Sequence, residues 1–165
     1  LRDEFDRTPL MIACKSSNFE AANLLLEHGA NIEDYDDELS TPLFWACDGQ
    51  FINDDDIRIV TLLLEKGANI HAQNRRGLTV LDHLIVNASW DFVHRQQICR
   101  ALLRHGAKVK NKEFANNRPW FNELQIIEER MKYRYISIHI ASENCASNIM
   151  FHLPPELSRE VVMCL

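Results

Sequence analysis

The side chains in this sequence that could do chemistry are seven histidines, five cysteines and one run of three aspartates. A metal or catalytic site needs several such groups at matched spacing, such as paired Cys or His ligands or a nucleophile beside a base. His83, His94, His139 and His152 show no such spacing to carboxylates or cysteines, and the sequence has no Cys-x-x-Cys pair. It also lacks a Gly-rich phosphate loop and a nucleophile elbow. We therefore expect no catalytic residues, no metal and no cofactor.

The remaining candidate groups have simpler explanations. Asp54-Asp55-Asp56 could hold a cation, but a solvated loop that caps a helix explains the run better, because carboxylates favour a helix N-terminus. His28 and His105 both precede Gly-Ala turns, and Cys14 and Cys47 recur at one position as small apolar residues. Five cysteines without a paired pattern predict a reducing, intracellular location. That location is the cytoplasm or nucleus, or the host cytoplasm if the protein is a secreted effector.

Composition limits the classes of partner. The 165 residues fit one domain of ordinary size, and a hydrophobic content of 46% supports a continuous core. A formal net charge of −6 argues against nucleic acid as the partner, because nucleic-acid binding normally needs a basic face. No apolar run is long enough to predict a membrane span. The chain begins at Leu1 rather than Met, which predicts a fragment of a longer protein.

One pattern recurs three times along the chain. A Leu-rich segment that ends in Gly-Ala occurs at Leu24–Ile32, Leu62–Ile70 and Ala101–Val109. Each segment follows an upstream turn that begins with threonine: Thr8-Pro9-Leu10, Thr41-Pro42-Leu43 and Thr79-Val80-Leu81. The threonine can cap a first helix, and the glycine can end a second one. Such a helix pair cannot bury its apolar side alone, so the pairs must stack.

These turns and Leu-Leu-x-x-Gly-Ala segments resemble ankyrin repeats, whose period is about 33 residues. Thr8 and Thr41 are 33 residues apart. The resemblance covers roughly residues 3 to 120 and implies an all-α solenoid of helix–turn–helix repeats with projecting β-hairpin-like turns. Asp6 and Leu39 stand where the family has glycine, which Gly77 restores. The predicted repeats are residues 1–35, 36–73, 74–112 and a degenerate fourth at 113–141.

The second and third repeats carry extra residues between their helices. Thr41 to Gly67 is 26 residues and Thr79 to Gly106 is 27, whereas Thr8 to Gly29 is 21. The excess falls at residues 49–56 and near residues 87–94. Because both insertions lie at the same point of the repeat, we expect them side by side. We also expect Asp56 to cap the second helix of its repeat.

The C-terminal residues 142–165 are not ankyrin-like and predict a helical cap. Their last part, residues 153–165, also resembles the opening of an F-box, in the truncated form found in poxvirus ankyrin proteins. That resemblance implies docking to a Skp1-type adaptor of cullin ubiquitin ligases, although a cap over the last repeat is the simpler interpretation. The residues that would contact the adaptor are Leu153, Pro154, Glu156, Leu157, Val161, Val162 and Leu165.

The ankyrin resemblance implies a non-enzymatic protein–protein interaction module. Ankyrin proteins hold partners with the tips of their finger-like turns and with first helices that line a concave groove. The matching positions here are Glu4, Phe5, Arg7, Met11, Lys15, Ser16, Asp37, Glu38, Ser40, Phe44, Asp48, Arg75, Arg76, Leu78, Asp82, Val86, Phe114, Asn117, Phe121 and Gln125. Four are large apolar residues expected to be exposed as anchors: Phe5, Met11, Phe44 and Phe121. Trp45 falls at a predicted core position, and Phe44 could instead tuck against it. Acidic residues 36–38 and basic residues 75–76 predict tips of alternating charge.

Two other functions stay open. The chain could be the substrate receptor of a cullin ubiquitin ligase, with the repeats holding the target and residues 153–165 holding the adaptor. It could instead be the targeting region of a larger enzyme or of a secreted effector. In every case the partner is another protein, and we expect the module itself to be a monomer.

Overall fold

The structure is a computed structural model, and it describes residues 1–49, 52–86, 92–110, 120–122 and 124–126. The named helices in this part of the chain form three consecutive pairs: α1 (Pro9–Lys15) with α2 (Phe19–Glu27), α3 (Pro42–Cys47) with α4 (Asp54–Glu65), and α5 (Val80–Val86) with α6 (Phe92–Arg104). Residues 120–122 and 124–126 are also helical. The described residues contain no strand, only an isolated antiparallel bridge between Gln73 and Thr79.

The chain divides into two compact units, Leu1–Leu124 and Gln125–Leu165, and all the named helices lie in the first unit. Within that unit the helices form two rows. α1, α3 and α5 pack side by side as the first-helix row, and α2, α4 and α6 pack side by side as the second-helix row. Each first helix also packs on the second helix of its own pair. Three helix pairs therefore stack in sequence order, as the repeated pattern predicts.

The core lies between the two rows. Leu10, Leu43 and Leu81, the second residue after each threonine, are each 1% exposed. The Leu-rich segments of the second helices pack against the same core, with Leu63 and Leu102 fully buried and Leu25 partly buried. Equivalent residues thus occupy equivalent places. This is what a stack requires, because each pair covers the apolar side of its neighbour.

The first helices begin as the threonine pattern predicts, but their caps differ. The Thr8 hydroxyl accepts the N–H of Met11 at 3.3 Å, and Pro9 occupies the first helical position. Thr41 also precedes its helix, yet its side chain makes no cap hydrogen bond, and its hydroxyl is buried without a partner. Thr79 makes the fullest cap, because its hydroxyl donates to Asp82 Oδ2 at 2.8 Å and accepts the Asp82 N–H at 3.2 Å.

Helix α4 begins differently from the prediction. The cap is Asn53, whose Oδ1 accepts the N–H groups of Asp55 at 2.8 Å and Asp56 at 3.2 Å. Asp56 sits three residues later and accepts the Asn53 N–H at 2.9 Å, which completes a reciprocal capping box. The prediction that Asp56 is the cap is therefore wrong. Asp56 is 4% exposed and also accepts the Ser17 hydroxyl at 2.6 Å, which ties the first helix pair to the second.

Several predictions lie outside the described residues. The adjacency of the two insertions is one of them, because residues 50–51 and 87–91 are not described. The others are the contacts at Phe114 and Asn117, the cap at 142–165, and the F-box-like residues 153–165. Of the predicted fourth repeat, the structure describes a short helical part. Phe121 and Leu124 are buried there, at 0% and 2% exposure, in the same core as the three helix pairs.

Candidate partner-binding surface

Three short turns, one before each first helix, share one hydrogen-bond pattern. We call them fingers 1, 2 and 3; they consist of residues 3–7, 36–40 and 74–78. In each finger, the side-chain oxygen of the first residue accepts the N–H groups two and four positions further on. The N–H of that first residue donates to the carbonyl of the fifth. The fourth residue has a positive φ: 59° at Asp6, 58° at Leu39 and 71° at Gly77. Each finger is therefore a fixed loop whose second and third residues form the tip.

Backbone hydrogen bonds join neighbouring fingers. The N–H of Asp37 donates to the Phe5 carbonyl at 3.4 Å, and the N–H of Arg75 donates to the Glu38 carbonyl at 2.8 Å. The tips therefore form one row, in which an acidic tip lies beside a basic one. Asp36 does not belong to that acidic tip, because it is 3% exposed and its carboxylate holds finger 2 together.

The exposed side of the first-helix row is formed by the fourth residue after each threonine: Ile12, Trp45 and His83. Ile12 is 43% exposed, while Trp45 and His83 are half-buried. None of the three is among the predicted contacts. A signal for them was present, because Leu10 and Ala13 mark the core side of α1 and a helix turns about 100° per residue, which places Ile12 on the opposite side.

The third residue after each threonine was predicted to contact a partner, and this prediction is wrong. Met11, Phe44 and Asp82 are 0%, 3% and 1% exposed. Their side chains turn back towards the start of the helix or into the core. Met11 Sδ accepts the Thr8 N–H at 3.4 Å, and Asp82 Oδ2 accepts the Thr79 N–H at 3.1 Å.

Phe44 is more buried than the sequence predicts, and Trp45 is less buried. Phe44 belongs to the core and meets the ring of His83 edge-on, with 6.0 Å between the ring centroids. Trp45, predicted to be a core residue, packs against the core but is only half-buried. Phe121, another predicted anchor, is also fully buried, and meets Trp120 edge-on at 5.7 Å. It faces the core because Leu124, three residues later, lies on the same side of the helix.

Trp45 is the centre of an aromatic and cationic cluster, which we call the Trp45 platform and which consists of Phe5, Arg7, Lys15 and Trp45. Lys15 Nζ lies 4.6 Å from the indole centroid, and the Arg7 guanidinium lies 5.4 Å from it. The same guanidinium lies 4.9 Å from the ring of Phe5, which is 49% exposed. Cation–π contacts at exposed sites are worth roughly 0.5–1 kcal/mol each.

Hydrogen bonds from finger residues fix the platform in place. Trp45 Nε1 donates to Asp36 Oδ2 at 2.9 Å. Arg7 Nε donates to Asp3 Oδ2 at 2.8 Å, and Arg7 Nη2 lies 2.7 Å from the same oxygen. The side-chain hydrogen bond from Arg7 lowers the pKa of the Asp3 carboxyl. The platform is therefore set by finger residues that are themselves hydrogen-bonded.

The seventh residue after each of the first two threonines links neighbouring repeats. Lys15 reaches Trp45 of the next pair, and Asp48 Oδ1 lies 2.9 Å from Nε2 of His83, in the pair after that. The third such residue, Val86, is 39% exposed. The row therefore has a direction, with a cation at its first-pair end and a carboxylate one pair further on.

The other predicted contacts divide by exposure. Those on the surface are Glu4, Phe5, Lys15, Ser16, Asp37, Glu38, Asp48, Arg75, Arg76 and Val86. Those half-buried are Arg7, Ser40 and Leu78, which lie at the fingers, and Gln125, which lies in the second unit. The N–H groups of Ser40 and Leu78 hold their fingers closed, so these two residues shape the tips more than they present a side chain.

The cysteines in the described part of the chain are packing residues. Cys14, Cys47 and Cys99 are buried free thiols. Burial raises the pKa of Cys14 to about 12, that of Cys99 to about 12, and that of Cys47 well above its usual value. Among the described residues, no three His, Cys, Asp or Glu side chains converge on a common metal position. No helix in this part of the chain has the length and apolar character needed to cross a bilayer.

Comparison with known families identifies the class of this fold. Residues 1–74 match the family model described as ankyrin repeats in three copies. The paired helices, the threonine caps and the fingers are the features of such repeats, and the fold is an all-α ankyrin-repeat solenoid. Ankyrin repeats are generally non-enzymatic protein–protein interaction modules.

Curated proteins similar to this chain carry ankyrin repeats in different settings. An ankyrin repeat protein of Rickettsia felis is 30% identical over 111 residues, which is 66% of this chain and 46% of the relative. Ankyrin repeat and SOCS box protein 11 of Mus musculus is 32% identical over 82 residues, or 50% of this chain and 24% of the relative. Ankyrin repeat, SAM and basic leucine zipper domain-containing protein 1 of Otolemur garnettii is 35% identical over 72 residues, or 44% and 15%. The chain spans less than half the length of each.

Proposed function

We propose that this chain is a non-enzymatic module that binds another protein through its finger tips and the exposed side of its first-helix row. The observation that carries the proposal is the Trp45 platform, where aromatic rings and cations lie together at the surface. Aromatic residues and arginine supply most of the binding energy at protein interfaces. A cluster of this kind at a half-exposed position is therefore the natural anchor for a partner.

The binding mechanism is recognition by a surface that is already ordered. The finger backbones are closed by internal hydrogen bonds and joined to one another, and Trp45 is held by Asp36. A partner that docks here has to order few groups of this chain, so less free energy is spent on lost conformational freedom. The acidic tip of finger 2 beside the basic tip of finger 3 then favours one orientation of the partner and faster association.

A pair of double variants tests the assignment of this surface. The first, Phe5→Ala with Lys15→Ala, removes an exposed apolar ring and an exposed cation from the platform. The matched control, Leu24→Ala with Arg58→Ala, removes an apolar side chain that is 56% exposed and an exposed cation from the second-helix row. Both pairs leave the described hydrogen bonds of the fingers intact.

Quantitative affinity capture with the wild-type chain and both variants is the measurement. We expect the control variant to recover the same proteins as the wild type, and the platform variant to lose at least one of them. Equal recovery by all three chains, or a loss confined to the control variant, would place binding elsewhere and overturn the assignment.

The F-box-like residues 153–165 support a second proposal, that the chain is the substrate receptor of a cullin ubiquitin ligase. The support comes from the sequence string, and one similar protein is named for a SOCS box as well as for ankyrin repeats. The test is a pull-down with a purified Skp1-type adaptor, comparing the wild type with Leu157→Ala and Val161→Ala variants. Retention of the wild type alone supports this role, and no retention of the wild type rejects it.

The proposed module works as an intracellular monomer, either alone or as the targeting part of a larger enzyme or of a secreted effector. Three buried free thiols at Cys14, Cys47 and Cys99 favour a reducing compartment. Sedimentation of the purified chain tests the oligomeric state, since a concentration-dependent dimer would contradict it. Fluorescent tagging tests the location.

A further inference from the structure

We infer that the first-helix row takes an acidic segment of its partner, in which a carboxylate pairs with Lys15 beside an apolar side chain on the Trp45 ring. This inference rests on the proposed function and adds the chemistry of the partner. It also assigns a direction to the bound segment along the row.

Lys15 differs from three arginines of the same unit. Arg2, Arg7 and Arg58 each have a carboxylate partner, at 3.2, 2.7 and 2.7 Å. Within the described residues, Lys15 has no ion pair, and its Nζ makes contact with the Trp45 ring alone. An ammonium group has three donors, and a contact with an aromatic face leaves at least one of them available to another acceptor. Lys15 is thus a positioned cation with its hydrogen-bond donors still available.

Two carboxylates that hold the platform, those of Asp3 and Asp36, already have donors. Asp3 holds Arg7 and the N–H of Phe5, and Asp36 accepts two backbone N–H groups together with Trp45 Nε1. Because the indole N–H is used internally, the part of the half-buried Trp45 ring that reaches solvent is apolar. Phe5, which shares the Arg7 guanidinium with Trp45, is 49% exposed, and Ile12, at the equivalent position of α1, is 43% exposed. A group that fits this place combines an apolar side chain with a carboxylate.

The next position along the row sets the direction. His83 faces Asp48, which is exposed, so a second acidic group placed there would meet a like charge. The acidic part of the partner therefore lies over the first helix pair, and its neutral or basic part lies over the second and third. This is a charge arrangement that selects one orientation of a segment over its reverse.

The experiment is a selection of peptides from a random displayed library on three immobilised chains. These are the wild type, Lys15→Glu, and Arg58→Glu as the matched control on the second-helix row. We expect the wild type and the control to enrich peptides in which Asp or Glu neighbours a large apolar residue. We expect Lys15→Glu to enrich Lys or Arg at that place, since the sign of the pairing charge is reversed.

Synthetic copies of the enriched peptides then give affinities by fluorescence anisotropy. A wild-type-selected peptide is expected to bind Lys15→Glu at least fivefold more weakly, and to bind the wild type more weakly as salt is raised. If the wild type and Lys15→Glu select peptides of the same charge composition, the inference is overturned.

The outcomes separate this inference from the proposed function. If the selected peptides lack acidic residues but bind the Phe5→Ala, Lys15→Ala chain more weakly than the wild type, the assignment of the binding surface is kept. The acidic partner is then rejected. If the peptides bind this variant, the wild type and the Leu24→Ala, Arg58→Ala control with equal affinity, both the acidic partner and the proposed binding surface are rejected.

Discussion

At the scale of single residues, three equivalent threonines have different partners. Thr79 exchanges hydrogen bonds with Asp82, whose other carboxylate oxygen accepts the Lys110 N–H at 3.2 Å and so links the third pair to the following segment. Thr41 stands at the same position but is followed by Phe44, which offers no acceptor, and the Thr41 hydroxyl stays buried and unsatisfied. A buried hydroxyl without a partner costs free energy that a satisfied one does not.

Substitution by valine separates these two cases. We expect Thr79→Val to lower the free energy of unfolding by about 1–2 kcal/mol, because it removes the cap and a donor to buried Asp82. We expect Thr41→Val to leave stability unchanged or to raise it by up to about 1 kcal/mol, because no hydrogen bond is lost. Urea unfolding of the two variants and the wild type measures both effects. Equal losses would contradict this account of the caps.

At the scale of elements, the three fingers share one backbone conformation but have different residues at the fourth position, where the backbone is strained. The fourth finger residue has a left-handed backbone in all three fingers, although only finger 3 has a glycine there. A leucine in that conformation costs about 1–2 kcal/mol, because its Cβ approaches the following carbonyl. Leu39 is 43% exposed, so burial of its side chain recovers little of this cost. Finger 2 therefore holds its shape against a local preference, helped by the hydrogen bonds of Asp36.

Glycine at this position should relieve the strain. We expect Leu39→Gly to raise the free energy of unfolding by about 0.5–1 kcal/mol, after the extra entropy of glycine in the unfolded chain is subtracted. The reverse change, Gly77→Ala, should lower it by about 1 kcal/mol. A Cβ built on Gly77 meets nothing within 4 Å, so that loss would come from the backbone alone. Thermal or urea unfolding measures the stability of both variants. A lower free energy of unfolding in Leu39→Gly would show that the Leu39 side chain contributes stabilising packing.

At the scale of the first unit, the three buried thiols report on the stack as a whole. Cys14, Cys47 and Cys99 come from three successive helix pairs, and all three are buried in the same core. Burial keeps all three protonated in the folded chain. Unfolding would expose them to water and return the pKa of each thiol to its usual value.

The free energy of unfolding should therefore fall as pH rises. The pKa values of Cys14 and Cys99 are about 12 in the folded chain, against 9.0 for a free thiol, so above pH 9 the unfolded state has lost protons that the folded state keeps. Each such thiol removes about 1.4 kcal/mol per pH unit in this range. Urea unfolding across it is the measurement, with a Cys14→Ala, Cys99→Ala chain as the control. A decline as steep in the control as in the wild type would contradict the assignment.

The sequence by itself determined the helix pairs, their order, the starts of the first helices and the ends of the second helices. Those features depend on local interactions that recur in each repeat: threonine caps, the apolar stripes on Leu10 and Leu43, and glycines that close the second helices. Only the tertiary structure decided which of two neighbouring residues reaches the surface, as with Phe44 and Trp45. That choice depends on how each helix is rotated against the helices of adjacent pairs, and on hydrogen bonds such as those that draw Asp36 and Asp56 inside. Both come from contacts between residues far apart in the chain, which a local pattern does not contain.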